Sequence, residues 1–221
     1  MSLEQIPFGT SEFASNPEPR LACVLLVDTS GSMAGAPIAQ LNDGLAAYRL
    51  SLQQDALASL RVEVAVVAFG GGVRTVSDFT TGDGFNPPTL EAGGDTPMGA
   101  AIEQALDMVR RRKDTYRANG VQYFRPWVWL FTDGEPTDEW KHVAARVRQG
   151  EAEKAFAFFA VGMPVANFDV LSQISVRQPL KLQGLQFREM FLWLSDSQKR
   201  VSQSKPGDEV PLAAPQGWAS V

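Results

Sequence analysis

The chain alternates between uninterrupted apolar runs and segments whose apolar residues recur every three or four positions. The first run, Leu21–Val27, contains no polar residue, which predicts a strand buried on both faces. The next segment begins near Pro37, a residue suited to the first turn of a helix, and predicts a helix to about Ala58. The apolar face of that helix consists of Ile38, Leu41, Leu45, Tyr48 and Leu52.

The same alternation continues along the chain. A β-branched run at 62–69 is joined by three glycines to an alternating segment at 73–79, which predicts a hairpin whose second strand lies at the edge of a sheet. A loop at 80–94 follows. The later pattern predicts a helix after Pro97, strands at 126–131, 155–161 and 179–182, and helices at 138–149, 168–174 and 187–194. Helices that alternate with strands predict a mostly parallel sheet.

Composition divides the chain into one domain with two flanks. Its 221 residues, of which 44% are hydrophobic, suit a single core. Residues 1–19 are rich in proline and poor in apolar residues, which predicts an N-terminal arm, and residues 202–221 are punctuated by proline and glycine, which predicts a C-terminal tail. The predicted domain therefore covers residues 20–201.

The net charge and the cysteine content limit the functions that this chain can have. The net charge of −5 argues against non-specific nucleic-acid binding, because the chain has no basic stripe to neutralise phosphates. The densest basic run, at 110–113, is interpreted as a solvated helix end. The single cysteine, Cys23, lies in a predicted buried strand and excludes an internal disulfide. We find neither a secretory signal nor an apolar run of the ~20 residues that cross a bilayer, so we expect a cytoplasmic protein without a membrane partner.

Candidate chemistry begins where the first predicted strand ends. Asp28, Ser30 and Ser32 place one carboxylate and two hydroxyls at every second position of a loop. In open α/β sheets, ligands bind at the carboxyl ends of the strands. These hard oxygen donors suit Mg²⁺, with water completing an octahedron. The alternative is a turn rich in Asp, Ser and Gly that only bonds its own backbone.

Two later stretches favour the metal. Thr96 precedes Pro97 at the start of a predicted helix, so its hydroxyl is either an N-cap or a ligand. Asp133 directly follows the buried strand at 126–131 and repeats the arrangement of a carboxylate at a strand end. Glu135 and Asp138 are expected to begin the next helix, where acidic groups suit the positive end of the dipole.

In order and context, these residues resemble the metal-ion-dependent adhesion site, or MIDAS, of von Willebrand factor A domains. The resemblance covers roughly residues 20–191. It implies an α/β fold with a doubly wound, Rossmann-like, mostly parallel sheet, one antiparallel edge strand and helices on both faces. It also implies that the metal ligands are Asp28, Ser30, Ser32, Thr96 and Asp133.

A narrower resemblance rests on two motifs, the glycine-rich approach to Thr96-Pro97 and the run Thr-Asp-Gly-Glu-Pro-Thr-Asp at 132–138. Both look like the TerY-type proteins of bacterial tellurite resistance. That resemblance implies stress signalling together with a kinase and a phosphatase. The chain departs from the pattern by carrying Asp95 immediately before the threonine.

The function expected from these observations is a non-catalytic, Mg²⁺-dependent protein-interaction module, with Mn²⁺ or Ca²⁺ as alternative ions. Around a dication held by only two carboxylates and neutral hydroxyls, an Asp or Glu of a protein partner can complete the site. The alternative is a phosphotransferase that uses Asp28 as nucleophile. Such a site wants a second Asp where this chain has Ser30, and a lysine near Asp133 that is absent. Serine hydrolysis lacks support because the only histidine, His142, belongs to no motif.

Overall fold

The computed structural model describes residues 11–215 and 217–220. Its strands are β1 Leu21–Asp28, β2 Val62–Phe69, β3 Val73–Thr81, β4 Trp127–Thr132, β5 Ala157–Gly162, β6 Leu180–Leu182 and β7 Ala219–Ser220. Its helices are α1 Ser11–Ala14, α2 Ala36–Gln53, α3 Ala58–Arg61, α4 Met98–Ala118, α5 Lys141–Ala152, α6 Phe168–Ile174 and α7 Phe187–Ser202.

The strands form one sheet in the order β3-β2-β1-β4-β5-β6-β7. Strands β2, β1, β4, β5 and β6 run parallel, and β3 pairs antiparallel with β2 at one edge. These observations confirm the predicted fold class. The prediction of a single antiparallel edge strand is wrong, because β7 also pairs antiparallel with β6 at the other edge. A strand of two residues is too short to show alternation in a sequence.

Both faces of the sheet are covered, which explains why its central strands lack polar alternation. Alternate residues of β1, such as Cys23 and Leu25, pack with α2 and α7, while Val24 and Leu26 pack with α4, α5 and α6. All eight residues of β1 and all eight of β2 are buried. The chain leaves β1 towards β2 on one side and later returns to pair β4 with its other side. The carboxyl ends of β1 and β4 are therefore the switch point of the sheet, where such folds bind ligands.

The interpretation of the basic run at 110–113 as a helix end is wrong for Arg112. Helix α4 continues to Ala118, so the run lies inside it. The guanidinium of Arg112 forms an ion pair with Glu63 on β2, at 2.7 Å between Nε and Oε2. Arg20 forms a second ion pair with Glu63, at 3.0 Å, and the Tyr116 hydroxyl donates a hydrogen bond to the same carboxylate. A buried carboxylate requires such partners, and they lie far away in sequence.

Residues assigned to the flanks pack against the sheet. Phe13 is buried beside Tyr116, and Trp218 is buried beside Trp193, at 5.2 Å between the ring centroids. Residues 1–10 of the predicted arm, and residues 216 and 221 of the predicted tail, lie outside the described residues. The boundaries 1–19, 20–201 and 202–221 stay a prediction. Within the described chain, no helix is both long and apolar enough to span a bilayer.

Candidate metal centre

Strand β1 delivers the first carboxylate to the switch point. Asp28 is its last residue and is completely buried. The backbone N–H of Ser30 donates to Asp28 Oδ1 at 2.8 Å, which turns the chain sharply out of the strand. A short 3-10 turn, Gly31–Met33, follows and presents Ser32, which is exposed. The two serine hydroxyls lie 3.0 Å apart between their Oγ atoms.

Strand β4 brings the second carboxylate to the same place. Asp133 follows its last residue, and Ser32 Oγ donates a hydrogen bond to Asp133 Oδ1 at 2.8 Å across 101 residues of sequence. Thr132, which the sequence analysis does not single out, donates its hydroxyl to Asp28 Oδ2 at 2.6 Å. Its position at the strand end, directly before an aspartate, was the only signal that could have identified it. The chain thus joins Asp28, Ser30, Ser32 and Asp133 in one cluster.

Thr96 reaches this cluster because it does not cap the helix. The expectation of Thr96 at the N-cap and Pro97 in the first turn is wrong: Pro97 is the N-cap, and α4 begins at Met98. The Thr96 hydroxyl makes no hydrogen bond to any described residue. A Cβ built on Gly134 would lie 3.8 Å from Thr96 Oγ1 and 4.0 Å from Ser32 Oγ, so both hydroxyls border the same small space.

The loop after β4 caps α4 in place of Thr96. The two carboxylate oxygens of Asp138 accept hydrogen bonds from the backbone N–H groups of Gly99, at 2.9 Å, and Ala100, at 2.8 Å. The expectation that Glu135 and Asp138 begin their own helix is therefore wrong, since α5 begins at Lys141. Because Asp138 satisfies the free N–H groups of α4, the Thr96 hydroxyl remains available.

Backbone hydrogen bonds between three glycine-rich loops hold the cluster together. Gly31 N donates to the carbonyl of Gly94 at 3.0 Å, and Gly93 N donates to the carbonyl of Thr29 at 2.8 Å. Gly94 has a φ of +78°, and a Cβ there would lie 2.3 Å from the Cα of Gly71. Such a close approach of two backbones requires glycine. The loops that carry Asp28 and Thr96 are thus fixed relative to each other.

The site concentrates negative charge in a buried setting. Burial raises the pKa of the Asp28 carboxyl above its usual value, and the negative charge of Asp133 raises it further, while hydrogen bonds from Ser30 and Thr132 partly offset both effects. A cation between the carboxylates would relieve this repulsion. In the described part of the chain, no group of three or more His, Cys, Asp or Glu side chains is arranged to hold a metal. A metal here would therefore depend on the hydroxyls.

The spacing of the donors fits a small octahedral ion. With metal–oxygen distances of roughly 2.1 Å, as for Mg²⁺, neighbouring oxygens of an octahedron are about 3.0 Å apart, because its edge is √2 times the bond. The observed separations are 3.0 Å between the serine oxygens and 2.8 Å between Ser32 Oγ and Asp133 Oδ1. The same separations are ordinary hydrogen-bond lengths, and the six to eight oxygens around Ca²⁺ also lie this close together, so the choice of ion rests on the donor chemistry.

Fold and site together define a class of protein: a doubly wound α/β domain that gathers carboxylates and hydroxyls at the switch point of its sheet. The sequence profile of the von Willebrand factor type A domain matches residues 23–135, half of the chain. The chain therefore belongs to the von Willebrand factor type A domain family. No match was found among curated protein sequences.

Solved structures show the same fold at low sequence identity. A von Willebrand factor type A protein from Catenulispora acidiphila matches 82% of this chain and 43% of its own, at a TM-score of 0.60 and 18% identity. The open pilus adhesin SpaC of Lactobacillus rhamnosus GG matches 85% of this chain and 31% of its own, at 0.63 and 14%. Proximal thread matrix protein 1 of the mussel byssus, solved with a zinc-occupied MIDAS motif, matches 83% and 48%, at 0.58 and 18%. The chain spans less than half the length of each.

Proposed function

We propose that this chain is a metal-dependent protein-interaction module whose metal is held by Asp28, Ser30, Ser32, Thr96 and Asp133. The observation that carries the proposal is the cluster of serine hydroxyls and Asp133, spaced at 2.8–3.0 Å beside a second, buried carboxylate. Two carboxylates neutralise a dication formally, but its remaining coordination positions face the exposed side of Ser32. An Asp or Glu of a protein partner would be attracted to such an ion.

Mg²⁺ is the ion we assign to the site. A donor set without nitrogen or sulfur suits hard cations such as Mg²⁺. Zinc occupies the MIDAS motif of the mussel byssus protein, which shares the fold, so Zn²⁺ and Mn²⁺ belong in any metal titration. Asp95 is exposed beside Thr96 and adds negative charge near the site. Its carboxylate makes no hydrogen bond within the described residues.

For the biological setting we propose cytoplasmic stress signalling of the TerY type, with a kinase or phosphatase as the partner that supplies the carboxylate. The support is the pair of motifs around Thr96 and at 132–138. The loop at 132–138 has a structural reason to keep its sequence, because Asp133 points into the cluster while Asp138 caps α4. We expect neither a nucleic-acid nor a membrane partner.

The geometry supports binding over phosphotransfer. A nucleophilic aspartate must present a free oxygen to its substrate. Asp28 is completely buried, so a phosphoryl group has no access to it. Each of its oxygens accepts one hydrogen bond, from Ser30 N or from Thr132 Oγ1, and keeps a lone pair that could bind a small ion. Purified protein with Mg²⁺ is therefore expected not to hydrolyse generic phosphate or acyl esters. An activity that Asp28→Asn abolishes would replace this proposal with the phosphotransferase.

The test of the interaction module uses one purified partner at a time. Candidates retained by the immobilised chain in Mg²⁺ but not in chelator are purified, and their affinities are measured for the wild type and for Asp28→Ala. We expect Asp28→Ala to weaken partner binding as much as chelation does, and to leave the far-UV circular dichroism spectrum unchanged. Asp43→Ala, an exposed aspartate on α2, is the matched control and should bind like the wild type. Equal partner affinity in Mg²⁺ and in excess chelator would refute the proposal.

A further inference from the structure

A second candidate site lies at the amino ends of the parallel strands, on the side of the sheet opposite to the metal centre. A cavity of about 960 Å³ opens at the amino ends of β4 and β5, whose first residues, Trp127 and Ala157, line it. Segment 207–212 of the predicted tail forms another wall. Asp133 lies six positions after Trp127 along an extended chain that rises ~3.3 Å per residue, so the cavity lies about 20 Å from the metal centre. A cavity of this size can enclose a small molecule.

Part of the lining is aromatic. Trp127 and Phe159 both face the cavity, with their ring centroids 5.8 Å apart and their planes at 65°. Phe159 is the one residue of β5 that is not fully buried. Phe159 also stacks on Trp129, with the ring centroids 4.2 Å apart, and the Arg177 guanidinium lies over Phe159 at 5.0 Å. A flat apolar group can therefore pack on Trp127 and meet Phe159 at the edge of its ring.

Four cations also line the cavity, in a chain whose net charge is −5. Arg125 and Arg177 share the buried carboxylate of Glu151, which balances one of their two charges. Lys154 pairs with Glu209 of the tail at 2.9 Å, and Asp208 is the other acidic residue of the lining. Arg125 also binds the backbone just before β5, where its Nε donates to the carbonyl of Phe156 at 2.8 Å.

Lys113 differs from the other three. Its ammonium donates to the carbonyl of Ala155 at 3.0 Å, and within the described residues no carboxylate lies at ion-pair distance from it. Burial lowers the pKa of Lys113 and the positive charge of Arg117 lowers it further, while the more distant carboxylates of Asp114 and Glu153 partly offset both effects. A partly desolvated ammonium without an ion-pair partner favours the arrival of an anion.

The backbone of Lys154, at the rim of the cavity, is strained. Its φ of +53° is the only left-handed value at a non-glycine residue in the described chain. It follows the end of α5, a position that glycine normally occupies, so a lysine there costs roughly 1 kcal/mol of backbone strain. Its side chain pairs with Glu209 at the rim of the cavity, where both side chains are exposed and the pair contributes little. Val210 and Leu212, which pack against the core, hold the tail over the cavity.

We propose that this cavity binds a small aromatic anion, a carboxylate or sulfonate on a flat apolar body. The body packs against Trp127 and Phe159, and the anionic group pairs with Lys113. The packing of Val210 and Leu212 against the core keeps the tail wall in place. This site is independent of the metal centre and of the function proposed for it.

The test uses 8-anilinonaphthalene-1-sulfonate, an aromatic sulfonate whose fluorescence rises on binding, with the full chain. We expect saturable binding of one molecule per chain, with energy transfer from tryptophan, unchanged between Mg²⁺ and chelator. Lys113→Gln should weaken the affinity about tenfold or more, because it removes a charge-assisted contact. Lys141→Gln, an exposed lysine at the start of α5, is the matched control and should bind like the wild type. The neutral N-phenyl-1-naphthylamine should bind at least about tenfold more weakly.

Lys154→Gly separates the contribution of the exposed ion pair from that of Lys113. Glycine relieves the left-handed strain, so the melting temperature should stay equal or rise, and the sulfonate affinity should change much less than in Lys113→Gln. The proposal is overturned if wild-type binding does not saturate at one molecule. It is also overturned if Lys113→Gln binds the sulfonate as tightly as Lys141→Gln, or if the neutral probe binds as tightly as the anion.

Discussion

Replacing Asp28 with asparagine separates the contribution of this residue to the fold from its contribution to metal binding. Asparagine keeps the size of the side chain, and its carbonyl can still accept from Ser30 N. Its amide can donate to Thr132 Oγ1, which now donates to Asp28 and accepts from Gly134 N at 3.2 Å. A hydroxyl oxygen accepts two hydrogen bonds, so the one loss is the acceptor of the Thr132 hydroxyl hydrogen, which now donates to Asp28.

Without metal, the variant should be as stable as the wild type or more stable. The pKa of Asp28 is raised by burial and by Asp133, so the folded apo state carries a carboxylate that is less favourable there than in water. Removing that charge relieves the repulsion, which outweighs the loss of the Thr132 hydrogen bond. We expect the free energy of unfolding in chelator to rise by 0 to about 1 kcal/mol.

With metal bound, the wild type should be more stable than Asp28→Asn. At a Mg²⁺ concentration of about 100 times the dissociation constant, the wild type gains about 2.7 kcal/mol. This gain raises the melting temperature by about 5–10 °C for a domain of this size. If the loss of the carboxylate weakens Mg²⁺ binding about a hundredfold, the gain of the variant at the same concentration falls to about 0.4 kcal/mol, or about 1 °C.

Thermal melts followed by circular dichroism, over a Mg²⁺ series and in chelator, measure both effects. Asp43→Asn, on the exposed side of α2, is the control and should gain as much from Mg²⁺ as the wild type. The reasoning is refuted if Asp28→Asn gains the full shift. It is equally refuted if the variant is less stable than the wild type in chelator by 2 kcal/mol or more, because the apo carboxylate would then stabilise the fold.

The remaining predictions concern backbone packing, a buried ion pair and the thiol. Gly94→Ala places a Cβ 2.3 Å from a neighbouring backbone, so it should lower stability by about 2–4 kcal/mol and weaken Mg²⁺ binding in calorimetry, whereas Gly93→Ala, with open space around it, should do neither. Glu63→Gln leaves two arginines without their buried counter-ion and should cost about 3–5 kcal/mol in urea unfolding; a loss under 1 kcal/mol would contradict this. Burial raises the pKa of Cys23 to about 12, so at pH 8 an aromatic disulfide reagent should label only the unfolded chain; rapid labelling of the native protein would count against it.

The sequence alone predicted the layers of the fold and the residues of the candidate site. A fully apolar run such as Leu21–Val27 is compatible only with burial on both faces, which requires a parallel sheet covered by helices. Because parallel strands end at one edge, carboxylates that follow two such strands must meet there, and the structure joins Asp28 and Asp133 through Ser32 and Thr132. Their role as metal ligands stays a prediction for the titrations above.

Tertiary structure decided which partner each polar group takes. Local pattern suggested that Thr96 caps its own helix and that Asp138 begins the next one, but both assignments consider only neighbours in sequence. In the folded chain Asp138 caps α4 from 39 residues away, and Thr96 is released towards the cluster. The free N–H groups at a helix start need an acceptor, and any acceptor that the fold brings within reach can satisfy them.

The same limit applies to charge and to cavities. Arg112 lies in a run of cations that resembles a solvated helix end, and only the pairing of β2 with the sheet places the buried Glu63 beside it. The cavity beside Trp127 exists because the tail returns to the sheet through β7, a strand of two residues. Hydrophobic periodicity records which face of an element is buried. This periodicity does not indicate which distant side chain contacts that face, because long-range pairs form only when the elements pack in three dimensions.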